Sequence, residues 1–187
     1  MNQAPDAAAA LAGALRLFRY QDDGAALFVA TEAGFWHSFW ALALTLPLFA
    51  ITMALGPPGP AGADPLVLWI GLVEVFAILA FAFPLIILRL APSMGVERHA
   101  VQYLVASHWL TVPANLLQTA VAVLGELPLP PGVAGGLQLG VVLILAGNRW
   151  WVTTRLLRVG GGLAAGIVLL DFVLTVLVFQ IVLNRLF

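Results

Sequence analysis

Leu66-Val67-Leu68-Trp69-Ile70-Gly71-Leu72-Val73-Glu74-Val75-Phe76-Ala77-Ile78-Leu79-Ala80-Phe81-Ala82-Phe83-Pro84-Leu85-Ile86-Ile87-Leu88-Arg89-Leu90 decides the fold class. Between Leu66 and Leu88 the only ionisable side chain is Glu74. A helix that crosses the hydrocarbon core of a bilayer needs about 20 mostly apolar residues. This stretch exceeds that length, and water would not solvate it. The rest of the chain shares its character: 62% of the 187 residues are hydrophobic and 9% are charged, against about 25% charged in a soluble domain. These proportions exclude a soluble enzyme, a disordered chain and a basic-patch nucleic-acid binder. No nucleic acid is expected as a partner, since the formal net charge is only −1 and no global field would steer one in.

Four further segments have spanning length. They run from about Ala33 to Leu55, His99 to Gly125, Val133 to Leu157 and Leu163 to Leu183. The connectors carry breakers: Gly56-Pro57-Pro58-Gly59-Pro60, Pro92-Ser93 with Gly95, Pro128 with Pro130-Pro131, and Gly160-Gly161-Gly162. Such residues mark turns, and the turns are too short for an extramembrane domain. The expectation is an all-α polytopic membrane bundle of five transmembrane helices (residues 32–187). An N-terminal cytoplasmic or interfacial segment, residues 1–31, precedes it.

In that segment Leu11, Leu15 and Phe18 recur at helical spacing while Arg16 and Arg19 point elsewhere. This predicts an amphipathic helix lying on the cytoplasmic leaflet, with its arginines near lipid phosphates. Thr31 is placed to cap the first span, and Glu32 suits its N-terminus. Met1 to Ala30 lacks the basic start, apolar stretch and cleavage site of a signal peptide, so the segment is expected to be retained.

All eight basic residues are Arg, a composition that hints at a bacterial source. Arg16, Arg19, Arg89, Arg98, Arg149, Arg155 and Arg158 fall on one side of the five-span layout and Arg185 on the other. Basic residues concentrate on the cytoplasmic side. The expected location is the inner (cytoplasmic) membrane, N-terminus cytoplasmic and C-terminus periplasmic.

The polar residues inside the spans are the candidate site. His108 lies nine residues after His99, Arg149 nine before Arg158, and Asp171 nine after Gly162. At 1.5 Å per residue all three sit at a common depth, roughly 13 Å in. A lone charge there costs about 2.5–3.5 kcal/mol, which an Arg149–Asp171 pair would offset. The residues leave three readings open: a proton relay or cavity wall, a structural ion pair that fixes helix register, or an Arg149 that snorkels to the surface beside Trp150 and Trp151. Glu74 and Asn115 fall together in the other half of the bilayer, with Gln118 nearby. A Glu buried away from a cation is expected to be neutral, either hydrogen-bonded to an amide across a helix interface or titrating in a transport cycle.

Gly132, Gly136 and Gly140, and again Gly162 and Gly166, are spaced by four. Such rows let helices approach closely, and packing of the fourth span on the fifth is the expected use, with homo-oligomer formation the other. Pro47, Pro84 and Pro113 interrupt the first three spans and can kink them. The Phe35-Trp36-His37-Ser38-Phe39-Trp40 cluster reads as an interfacial aromatic belt.

No cysteine is present, so disulfides and thiolate metal sites are excluded. No Lys is available for a phosphate loop, no His-Glu-x-x-His motif occurs, and Ser38, Ser93 and Ser107 lie in no nucleophile elbow. Enzyme activity, a cofactor and a bound metal are not expected.

Three stretches carry a family likeness: Gly34-Phe35-Trp36-His37-Ser38-Phe39, Tyr103 to Gln118 with Ser107-His108-Trp109, and Ala164 to Asp171 with Leu169-Leu170-Asp171. Through them the chain resembles small, largely uncharacterised bacterial inner-membrane proteins of about this length. Its five-span layout is also similar to that of Yip1-type domains. That likeness implies a non-enzymatic protein that organises membrane or associates with a complex, its partners being the bilayer and a membrane protein or a second copy. The competing expectation is a small transporter or channel subunit that uses Glu74, His108, Arg149 and Asp171 for proton or ion coupling. A packed bundle would favour the first and a polar cavity the second.

Overall fold

The computed structural model describes residues 6–55, 64–130 and 132–186. The first turn expected over Gly56-Pro57-Pro58-Gly59-Pro60 and the third turn's Pro131 lie outside the described residues. Six α-helices follow in order: α1 (Ala7–Phe18), α2 (Glu32–Ala54), α3 (Pro65–Met94), α4 (Glu97–Gly125), α5 (Val133–Leu156) and α6 (Gly161–Leu186), with a 3₁₀ segment at Asp22–Leu27 between the first two. No strand occurs among the described residues.

Local chemistry sets the helix ends. The Thr31 hydroxyl accepts from the Gly34 N–H at 3.1 Å and starts α2. Asp64 accepts from the Leu66 N–H at 2.8 Å with Pro65 in the first turn of α3. α3 runs past Leu90 and takes in Pro92, ending only at Gly95, whose φ of +68° is the left-handed cap that favours glycine.

Four helices are long and apolar enough to cross a bilayer: Glu32–Ala54, Leu66–Met94, Val133–Leu157 and Gly161–Val182. The chain is thus a multi-pass membrane protein built as a helical bundle. The third expected span, now α4, has the length, 29 residues, or about 43 Å. It is more polar than the others, carrying Gln102, His108, Asn115 and Gln118. The physical reason is its position. α4 packs against α1, α2, α3 and α5, and every residue from Tyr103 to Leu110 is buried. Protein, not lipid, solvates it.

α6 closes the bundle by packing on α3 and α5, with Val75 of α3 buried against Val178 and Val182 of α6. The larger core gathers Leu17, Ile87, Leu104, Trp109 and Val152 from α1, α3, α4 and α5.

α1 departs from expectation. Its buried face is Ala10, Gly13, Ala14 and Leu17, rotated away from the expected Leu11, Leu15 and Phe18 stripe, and it docks on α4. Small residues let the 3₁₀ segment fold back closely on α1. A Cβ on Gly13 would stand 2.9 Å from the Gly24 carbonyl oxygen, and one on Gly24 2.6 Å from that of Gly13. Polar contacts hold the docked segment. The Asn148 amide donates to the Leu17 and Phe18 carbonyls at 3.1 and 3.3 Å, and Gln102 donates to the Ala25 carbonyl at 2.9 Å. Leu15 is left exposed.

The glycine rows do not pack α5 on α6. A Cβ at Gly132, Gly136, Gly140, Gly162 or Gly166 would meet nothing within 4 Å. Gly132 serves instead as the N-cap of α5 with φ +85°. The close approach in this protein is made by Gly13 and Gly24, whose separation in sequence is not the four-residue repeat that marks a small-residue face.

Candidate functional site

α5 and α6 are antiparallel neighbours, so residues at equal depth from their shared turn come face to face. Arg149 and Asp171 meet in this way, with Nη2 2.8 Å from Oδ2. The two side chains keep 28% and 22% of their surface exposed. That surface faces two recesses rather than a dry core. A half-open cleft of about 460 Å³, lined mostly by apolar side chains, lies among α2, α3, α4, α5 and α6. A larger recess of about 670 Å³ lies along α4, α5 and α6. Arg149, Asp171, Gln118 and Thr175 line both, so the ion pair forms a shared wall. The Arg149 guanidinium also stands over the Phe83 ring, 5.6 Å from its centroid. Its Nε–H is buried without a partner.

His108 faces the cleft from the buried centre of α4 and is 6% exposed. Phe39 meets its ring edge-on at 4.9 Å, and Phe35 lies at 5.8 Å. Ser38 holds its Nδ1 at 2.7 Å. The Ser38 hydroxyl also lies 2.6 Å from the Phe35 carbonyl. Its single hydrogen can go to that carbonyl or to Nδ1, so either ring nitrogen can carry the proton of neutral His108. Nε2 has no well-aligned hydrogen-bond partner among the described residues.

The carbonyl of Ala80 is a hydrogen-bond acceptor for the same ring. Pro84 lies four residues on in α3 and has no N–H to give it, so this carbonyl is free of the helical ladder and open to an imidazole N–H.

The remaining candidates separate. Asn115 lines the cleft but donates to the Thr111 carbonyl of its own helix at 2.8 Å. Glu74 does not meet Asn115. Its carboxylate is bound by the Arg185 guanidinium, a correction to the expected neutral Glu. The long Arg185 side chain reaches it from the last turn of α6. α6 is therefore tied to both neighbours by ion pairs of opposite polarity, Asp171 to α5 and Arg185 to α3. No group of three or more His, Asp or Glu that could hold a metal occurs among the described residues.

Several contributors escaped the sequence reading. Ser38 orients His108, and Tyr103 and Thr153 join α4 to α5 at 3.2 Å between hydroxyls. Thr52 and Thr119 both donate to the Leu48 carbonyl and lie 2.9 Å apart, sealing α2 on α4. Hydroxyls carry little sequence signal because most of their bonds go to their own helix. In the aromatic cluster, Trp36 and Trp40 are exposed while Phe35 and Phe39 turn inward to His108.

Comparison with known proteins finds no matching family model, no similar curated protein and no similar solved structure.

Proposed function

We propose that this chain is a small transporter or channel subunit of the bacterial inner membrane, whose cleft uses His108, Arg149 and Asp171 to pass protons. The cleft is the observation that carries this reading. A bundle that serves only as a scaffold needs no open volume of about 460 Å³ walled by His108, Asn115, Arg149 and Asp171. The Arg149–Asp171 pair lines both recesses, which is where a gate between them would stand.

In this reading α4 is the fifth span, its polar residues turned to neighbouring helices. The N-terminus is cytoplasmic. Arg16 and Arg155 support that end as the basic one, since Asp23 and Asp22 of the 3₁₀ segment pair with them and bring the two together. Five spans then put the C-terminus in the periplasm. A C-terminal reporter active only outside the cytoplasm is expected to be active; a cytoplasmic signal would remove a span.

A second reading keeps the partner-binding role implied by the Yip1-type layout. α5 favours it, because Gly136 and Gly140 are open beside the exposed Leu139 and Leu143. A second copy or another membrane protein would dock there.

The two readings separate in proteoliposomes holding a pH-sensitive dye. With a pH gradient imposed, the full chain should dissipate it faster than protein-free vesicles, and His108→Asn should remove the excess. Vesicles with and without protein behaving alike would overturn the transport reading.

A further inference from the structure

The larger recess, of about 670 Å³, is not walled by the spanning helices alone. Phe18, the last residue of α1, joins α4, α5 and α6 in its lining. α5 and α6 are joined by a short turn, and Trp150 and Ala165 are the lining residues nearest to it. Asn148 stands two residues behind Trp150, about 3 Å along the axis. Phe18 is held at this level, because its carbonyl accepts from the Asn148 amide at 3.3 Å and the Leu17 carbonyl from the same group at 3.1 Å. On its long side the recess passes Leu169 and Phe172, both exposed on the outer surface of α6. Lipid covers that surface in a membrane bundle and bars charge. The end beside Phe18 is therefore the way in from water.

The hold on α1 is specific. Asn148 is 4% exposed, and its amide goes to carbonyls of the last helical turn, which lack donors within a helix. Beyond it Tyr20 meets Trp151 edge-on at 5.2 Å, and Asp22 lies 3.7 Å from Arg155. Tyr20 has a φ of +61°. That left-handed conformation is strained for a residue with a side chain and persists only where neighbours hold it. The segment is kept in place by a few polar and aromatic contacts that work against its own backbone.

We propose that the end of α1 gates the proton path, with Phe18 as the closing side chain and Asn148 as the latch. Closed, the Phe18 ring stands between water and the Arg149–Asp171 pair. Released, it admits water to that pair. The inference rests on the transport reading and adds how the site is shut.

The test places Ala146→Cys, in the recess two residues behind Asn148, in the full chain in lipid nanodiscs, whose two faces are both open to reagent. The reading is its rate of reaction with a charged methanethiosulfonate. Phe18→Ala should raise that rate about fivefold or more, and Asn148→Asp, which offers the α1 carbonyls no donor, should do the same. Phe18→Trp should lower it, a change of sign that loss of folding would not produce. Leu177→Cys, on the exposed outer surface of α6, should stay unmodified in every background.

A rate indifferent to Phe18→Ala, a faster rate in Phe18→Trp, no reaction in any variant, or modification of Leu177→Cys rising in step would each overturn the gate. Proton flux through the same variants in proteoliposomes keeps the outcomes apart. Flux with labelling indifferent to residue 18 sinks this inference alone, whereas labelling that follows residue 18 without any flux sinks the transport reading.

Discussion

Arg149 and Asp171 lie on consecutive antiparallel helices and pair at 2.8 Å at the wall shared by two recesses. Neither charge would be stable there alone, and neither is fully dry. Asp171→Asn should therefore destabilise the bundle by about 3 kcal/mol, the lower end of the range for breaking a buried pair, because each side chain keeps about a quarter of its surface open to the cavities. Exchanging the two residues in a double variant should recover part of that loss. Unfolding in detergent followed by Trp fluorescence measures both. A single variant within a few tenths of a kcal/mol of the parent would show that the pair carries no stability.

The second ion pair of α6 should behave differently. Arg185 and Glu74 are 60% and 30% exposed at their side chains, and exposed pairs contribute about 0–1 kcal/mol. Glu74→Gln should leave the unfolding midpoint almost unchanged in the same assay. A loss as large as that of Asp171→Asn would place Glu74 in the protein's working core instead.

The partners of His108 have a spectroscopic consequence. The Ala80 carbonyl can take a proton on Nε2 while Nδ1 accepts from the Ser38 hydroxyl, so ¹⁵N NMR of labelled histidine should show neutral His108 with its proton on Nε2. Ser38→Ala leaves Nδ1 buried and unpaired, at a cost of about 1–3 kcal/mol, with the proton still on Nε2. Finding Nδ1–H in the parent chain would show that Ser38 accepts instead.

The fold-back of the 3₁₀ segment on α1 depends on two glycines whose backbones nearly touch. Gly24→Ala puts a methyl 2.6 Å from the Gly13 carbonyl oxygen and 2.8 Å from the Arg16 Cβ, so the 3₁₀ segment should lift from α1. Trypsin should then cut readily after Arg16 or Arg19. Gly136→Ala meets nothing within 4 Å, and alanine favours a helix interior over glycine by about 0.5–1 kcal/mol; that variant should be as resistant as the parent, or more so. Equal proteolysis of the two would show that the glycine contact does not hold the 3₁₀ segment on α1.

Much of the architecture was legible because lipid imposes a coarse rule. Long apolar runs broken by Pro and Gly gave helices α2, α3, α5 and α6 within a few residues. Depth counting found Arg149 and Asp171 because their helices are consecutive and share a turn. The same counting failed for Glu74 and Asn115. It ignored the reach of a long side chain, and Arg185, counted only as a terminal charge, extends back to Glu74. The glycine rows misled for a related reason. Spacing by four marks a face of a helix but says nothing about what covers that face. Ser38 and His108 come from α2 and α4, which are not consecutive, and no spacing rule pairs them.

The central claim is that the cleft beside the Arg149–Asp171 pair admits water within an otherwise apolar bundle. The chain has no cysteine, so single cysteines can be introduced without background. Thr175→Cys would line both recesses, whereas Leu177→Cys, two residues on, would stand on the exposed outer surface of α6. The direct measurement is the rate at which each reacts, in native membranes, with a small charged methanethiosulfonate. The account predicts fast modification at position 175 and none at 177; a cysteine at 175 as inert as the one at 177 would contradict it.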